Sequence, residues 1–426
     1  MAETTSSYGG GYTSTPTQPA PVSKSKETII LASGDEAIRP FNFRASDEEL
    51  ADLKRRIAAT RWPERETVAD DTQGVQLATV RAIADYWLNH HDWRNVEARI
   101  NSYPNFVTEI DGLDIHFIHV KSKHPNALPV IITHGWPGSI IEELKIIEPL
   151  VDPTKHGGKA EEAFDVVIPS LPGYGFSGKP STSGWTPQRI ASAWPVLMKR
   201  LGYNRYVAQG GDWGALITDL MGAQAPDGLL GIHTNMAGAI PPEVDGAALA
   251  GAEAPAGLSD EERRAFDHVS FFYKHGLGYA LEMGNRVQTL YGIADSPVGL
   301  AAWIIDHDIW TYRMISRVFE GASEGLTRDD IVDNITLYWL TNTAVSSGRL
   351  YWENKNSFFG PKGAKVPAVV SVFPDDIPGP ISRSWAEKAY PNLVFYRQHP
   401  KGAHFASWEQ PQALVEDMRA GFSSLR

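Results

Sequence analysis

The sequence predicts an α/β fold, a mostly parallel sheet with helices on both faces. Three features of the chain carry that expectation. From about residue 107, strand-length apolar runs alternate with helix-length stretches, the pattern of repeated strand–helix units. One of these units, Val207-Ala208-Gln209-Gly210-Gly211-Asp212-Trp213-Gly214, stops a strand at a tight turn and opens into an apolar helical run. The alternation breaks once, near Ile240-Pro241-Pro242, and resumes near residue 363. A helical stretch inserted between two strands of a parallel sheet reads as a cap.

Taken in chain order, residues 1–26 are rich in Thr, Ser, Gly and Pro and too poor in large apolar groups to offset their ordering entropy, so a disordered tail is expected. Residues 27–106 read as an N-terminal helical extension lying against the main domain. Ser46 and Glu49 form a capping-box pattern, and Leu50, Leu53 and Ile57 follow at helical spacing. A second helix is expected near 80–87, and Trp62, Trp87 and Trp93 need a surface to pack on. The first part of the core, 107–239, has strands expected at 113–120, 128–133, 164–168, 205–209 and 229–235, and helices at 140–150, 186–201 and 214–223. Residues 240–362 form the helical cap. The second part of the core, 363–426, has strands at 368–373 and 393–397 and helices near 382–389 and 410–422.

Composition bounds the function. A chain of 426 residues suffices for one large domain with additions, or for two domains. The net charge of −12 argues against nucleic acid or an anionic membrane as partner. The absence of cysteine excludes disulfides, thiol catalysis and thiolate metal sites. No apolar run reaches the roughly 18 residues that a membrane span needs, and no signal-peptide pattern opens the chain. A cytoplasmic protein without a membrane anchor is expected; a homo-oligomer is compatible with this composition.

The turn after Gln209 has the layout of a nucleophile elbow, with Asp212 where a serine usually stands. A carboxylate nucleophile makes an alkyl ester, so it attacks carbon bearing a leaving group, such as an epoxide or an alkyl halide. Such a site needs a base, an orienting acid and an oxyanion hole. His404, in Gly402-Ala403-His404-Phe405, follows the last strand and is the candidate base. Asp375 and Asp376 follow the preceding strand, and either one suits the orienting role. His134-Gly135-Trp136-Pro137 follows a buried-looking strand, and Pro137 suits a cis bond. The backbone N–H groups of Trp136 and Trp213 are the candidate oxyanion hole, a donor pair whose members are each typically worth about 10²–10³ in rate. Each element also has a plainer meaning. An Asp before a helix is an ordinary N-cap, a loop His is usually a surface His, and paired aspartates between prolines are turn residues. Their shared placement at strand ends, in the order nucleophile, acid, His, favours the site.

With these residues in view, the chain from about residue 40 onward resembles the α/β-hydrolase-fold epoxide hydrolases, in particular the microsomal type. Arg39-Pro40-Phe41, Thr60-Arg61-Trp62-Pro63, Tyr86-Trp87 and Asp92-Trp93-Arg94 are similar to the family's N-terminal extension. His134-Gly135-Trp136-Pro137, Leu171-Pro172-Gly173-Tyr174-Gly175-Phe176-Ser177 and Asp295-Ser296-Pro297-Val298-Gly299-Leu300 match its motifs. The resemblance implies Asp212 as nucleophile, His404 as water-activating base and Asp376, the second aspartate of Phe373-Pro374-Asp375-Asp376, as its acid partner. It also implies two cap tyrosines, Tyr279 and Tyr351, that hold the epoxide oxygen, with Trp136 and Trp213 beside the substrate. Leu281-Glu282-Met283 stands where members often carry an amide, and a polar tail stands where the microsomal type often has an anchor. An epoxide and water are the implied partners, with no cofactor and no metal. The rival readings are a haloalkane or haloacid dehalogenase on the same Asp, and a non-catalytic hydrolase-fold binding protein.

Overall fold

The computed structural model describes residues 37–426, so the tail expected at 1–26 lies outside the described residues. Nine strands form one sheet: β1 (Arg39–Pro40), β2 (Asn105–Ile110), β3 (Leu113–Val120), β4 (Leu128–Thr133), β5 (Phe164–Pro169), β6 (Tyr206–Gly210), β7 (Leu229–Thr234), β8 (Ala368–Val372) and β9 (Leu393–Gln398). Their order is β1-β2-β3-β5-β4-β6-β7-β8-β9. From β5 to β9 every pairing is parallel, and the β1–β2–β3–β5 edge is antiparallel. The central strands β4, β6 and β7 are buried along almost their whole length, and β4 and β7 are rich in Ile and Leu, as a sheet covered on both faces requires.

This order positions the site. The chain leaves β4 for β5 on one side and returns to β6 on the other, which opens a crevice at the carboxyl ends of β4 and β6. The register aligns those ends: Thr133 is level with Gly210, and Gly210 with Thr234. The turns that begin at His134 and Gly211 therefore emerge side by side.

The interval between β7 and β8 runs through helices from Pro242–Leu249 to Ala344–Glu353 and holds no strand. The N-terminal segment contributes helices Asp47–Ala58, Leu77–Asn89 and Trp93–Asn101. The first begins at the capping box: the Glu49 N–H donates to Ser46 Oγ at 3.1 Å, and the Ser46 N–H to Glu49 Oε2 at 2.7 Å. This segment packs on the helices between β7 and β8 and not only on the sheet. His91 Nε2 lies 2.6 Å from Asp333 Oδ1, and the Tyr86 hydroxyl donates to Asp329 at 2.7 Å. Trp87 and Trp93 are buried beneath it. No helix among the described residues is long and apolar enough to cross a membrane.

The elements expected from β3 onward are present with ends shifted by a few residues. The strands β1 and β2 and the helix Trp93–Asn101 were not expected. A two-residue strand has no alternation to read; the helix does carry helical spacing in Trp93, Val96 and Ile100, but over too few turns to mark its ends.

Candidate active site

Asp212 sits at the end of β6 with φ 50° and ψ −124°, a conformation that costs a non-glycine residue of order 1–3 kcal/mol. It occupies the cap position of the helix Trp213–Gln224, but its side chain makes no capping hydrogen bond. The carboxylate instead accepts the Trp136 N–H on Oδ1 at 2.6 Å. Trp213 is the first helical residue, so its N–H has no intrahelical acceptor. Two glycines permit this approach. A Cβ on Gly214 would lie 1.8 Å from the Thr133 carbonyl oxygen, and one on Gly135 would lie 2.2 Å from Asp212 Oδ1. Gly135→Ala is therefore expected to displace the Asp212 carboxylate and lower kcat by at least about 10². Steady-state assay beside a circular dichroism spectrum checks it, and near-normal kcat in a folded variant would refute the packing account.

The Trp136–Pro137 peptide is cis. His134 locks the turn that carries it. Its Nδ1 donates to the Gly135 carbonyl at 3.0 Å and its Nε2 accepts the Leu171 N–H at 3.2 Å, tying the turn after β4 to the loop after β5. Burial, the main influence, holds this imidazole down to about 4, so it is neutral at pH 7.

His404 is only 3% exposed, which removes the surface reading. Its Nδ1 lies 2.7 Å from Asp376 Oδ1, and its Nε2 lies 3.4 Å from Asp212 Oδ2. Burial by itself disfavours the imidazolium, but hydrogen bonds and charge from Asp212 and Asp376 outweigh it and raise the His404 pKa well above its ordinary range. Burial also pushes Asp212 up. The bond to His404, the nearby charges of His404 and His307 and the Trp136 N–H reverse this and leave its carboxyl below the ordinary range. Asp376 is buried and faces His404, whereas Asp375 is exposed and pairs through its backbone N–H with the Gly402 carbonyl at 3.1 Å.

Across from Asp212 stand the aromatic groups. Tyr279, in the helix Gly278–Arg286, stacks on Trp136 with ring centroids 4.9 Å apart. Tyr351, in Ala344–Glu353, meets Trp136 edge-on at 5.8 Å and Trp213 at 4.7 Å. The two phenol rings are 5.8 Å apart. Burial first, then the charge of Asp212 at Tyr279 and those of Tyr279 and Asp212 at Tyr351, keeps both phenols protonated well past their usual range. All seven candidate residues (Asp212, His404, Asp376, Trp136, Trp213, Tyr279 and Tyr351) thus gather at one crevice.

Sequence reasoning missed two groups. His307 is fully buried against this cluster, its ring 4.6 Å from that of His404 and 4.9 Å from that of Tyr279. Its only signal was a polar triplet, Asp306-His307-Asp308, between apolar helical runs. Glu142 is also buried, accepts the Gly135 N–H at 3.3 Å, and is raised well above its ordinary range by burial and by Glu143. A cleft of about 830 Å³ opens along the helix that carries Tyr351, lined by Trp185, Arg286, Arg349 and Trp352 among others. Asp212 and His404 do not border it.

Comparison with known proteins places the chain among named relatives. Residues 38–143 match the family described as epoxide hydrolase N terminus, and residues 129–274 the alpha/beta hydrolase fold. Over 392 residues the chain is 48% identical to a Stigmatella aurantiaca protein named "Putative epoxide hydrolase", covering 91% of this chain and 86% of that one. It is 36% identical to epoxide hydrolase 1 of Oryctolagus cuniculus, covering 90% and 88%. Among solved structures, the epoxide hydrolase of Aspergillus niger matches with a TM-score of 0.77 at 32% identity, covering 91% of this chain and 96% of that one. With the fold, the buried site and these relatives in agreement, the chain belongs to the α/β-hydrolase-fold epoxide hydrolases.

Proposed function

We propose that this protein hydrolyses apolar aryl or alkyl epoxides to vicinal diols through a covalent ester on Asp212. One observation carries the reading. A buried carboxylate, anchored by the Trp136 N–H, faces a His404–Asp376 pair on one side and two protonated phenols on the other.

An epoxide carbon is strained, but its oxygen leaves as a poor alkoxide unless it receives a proton. Tyr279 and Tyr351 hydrogen-bond that oxygen, and one phenol supplies the proton. Asp212 Oδ2 attacks a ring carbon and forms the ester. Asp212 then carries no charge, and His404 has lost one of the two anions that held its proton. The imidazole gives its proton up to the phenolate left by ring opening, which restores the phenol, and becomes a base oriented through Nδ1 by Asp376. Water loses a proton to His404 Nε2 and bonds to the ester's carbonyl carbon. The oxyanion is met by the N–H groups of Trp136 and Trp213. Collapse releases the diol oxygen, which takes the proton from His404. The carboxylic acid left on Asp212 passes its proton to His404, which restores the imidazolium and carboxylate of the free enzyme. The aromatic walls suit an apolar substituent. A halide leaves as a stable anion and needs no proton donor, so the tyrosine pair favours the epoxide over a dehalogenase reading.

The test is one turnover of styrene oxide in ¹⁸O-water with enzyme in excess. The ester route puts the label in the peptide containing Asp212 and leaves the first diol unlabelled. Label in that first diol would sink the route.

A further inference from the structure

His307 lies between the helices Pro297–Ile305 and Ile309–Glu320. Its Nδ1 is 3.0 Å from Asp308 Oδ2, and Asp308 Oδ1 accepts the Thr311 N–H at 2.8 Å as the cap of the second helix. Burial pushes the Asp308 carboxyl up, but its bond to His307, the nearby imidazoles and the Thr311 N–H outweigh this and leave it below the ordinary range. A carboxylate only accepts, so Nδ1 of His307 carries the proton and Nε2 of the neutral ring keeps its lone pair. That Nε2 is buried and has no hydrogen-bond partner among the described residues. Burial, reinforced by the charge of His404, favours the neutral ring over the pull of Asp308 and Asp212. A buried acceptor left unpaired in a catalytic crevice calls for a donor that arrives during the reaction.

The geometry says where that donor sits. A ring nitrogen of His307, a ring nitrogen of His404 and a carboxylate oxygen of Asp212 all lie within 4.8 Å of one another. Three atoms so spaced leave a point about 2.8 Å from each, one hydrogen-bond length. An oxygen placed there touches the base and lies next to the carboxyl group that becomes the ester.

We propose that His307 is a further catalytic residue of the hydrolytic half-reaction, accepting the O–H of the attacking water that His404 does not take. The proposal rests on the Asp212-ester reading. As the water oxygen bonds to the Asp212 carbonyl carbon, one proton passes to His404 Nε2. The other stays on the oxygen, hydrogen-bonded to His307 Nε2, and leaves only after the diol has been expelled. With both O–H bonds engaged, a water lone pair is aimed at the carbon. Asp308 supports His307 as Asp376 supports His404. A competing water position exists in a small cavity of about 10 Å³ lined by Asp212, His404, Glu142 and Asn235, which His307 does not border.

Rapid-quench mass spectrometry of single turnovers with styrene oxide separates ester formation from ester decay. In His307→Phe, which keeps the ring and removes the acceptor, formation should be unchanged and decay slower by about tenfold, the effect of one hydrogen bond at a site of developing charge. His307→Gln, whose amide oxygen restores an acceptor, should recover most of the decay rate. Decay unchanged in the Phe variant, or slowed equally in both variants, overturns the proposal. A parallel run with His404→Gln keeps the two readings apart. If no ester forms there, the Asp212 route fails; if ester forms but its decay ignores His307, only this inference fails.

Discussion

Asp212→Asn should lower epoxide turnover by about 10⁴ or more, the scale seen when the nucleophile of a covalent hydrolase is removed. The substitution isolates chemistry from folding. Asn is nearly the same size and, with Asp, is among the few residues that tolerate positive φ, so the elbow is kept. Its amide oxygen still accepts the Trp136 N–H. An amide oxygen is nevertheless a poor nucleophile, and no other carboxylate stands in its place: Asp376 is engaged by His404, and the Glu142 carboxyl, pushed well above its ordinary range by burial and by Glu143, accepts the Gly135 N–H. The measurement is kcat/KM on styrene oxide beside a thermal melt. A folded Asn variant that retains more than about 1% of activity would transfer the nucleophile's role elsewhere.

His404→Gln should lower steady-state turnover by about 10²–10⁴, the usual contribution of a positioned general base, while sparing ring opening. The variant should therefore accumulate protein heavier by the mass of one substrate, and the adduct should vanish in the double variant with Asp212→Asn. The wild type should show the same trap at low pH, and the sign follows from the two anions that flank His404. In the free enzyme both hold its proton, so its pKa is raised. Esterification neutralises Asp212 and lowers the pKa of His404 from that raised position. As pH falls through the lowered value, His404 stays protonated and hydrolysis slows. Asp212, whose own pKa is depressed, still opens the ring. The ester fraction at steady state should rise as pH is lowered; a fraction that rises with increasing pH would contradict this charge coupling.

Local features were legible without the fold. The capping box at Ser46, the strand–turn–helix at Asp212 and the turn at Trp136-Pro137 are set by residues within a few positions of one another. Short-range sterics and hydrogen bonding act at that range, and the structure keeps all three. Strand–helix alternation announced the sheet for the same reason from β3 onward; it missed β1, where two residues carry no period, and β2 at the antiparallel edge.

The residues of the site are far apart in sequence, and their meeting is a tertiary fact. The choice of Asp376 over Asp375 depends on which neighbour turns inward after β8, and the two carry identical side chains. Gly135 reads as a turn residue, yet its lack of a Cβ is required by Asp212, 77 positions later. His307 and Glu142 were invisible because a lone buried polar group leaves no periodic trace. Its importance comes from what the packed chain places beside it. The sequence by itself determined the kind of chemistry, through an aspartate on an elbow with a histidine and a carboxylate in order behind it. Only the tertiary structure decided which groups share that site and which protonation states they hold, because burial and neighbouring charge act through space and not along the chain.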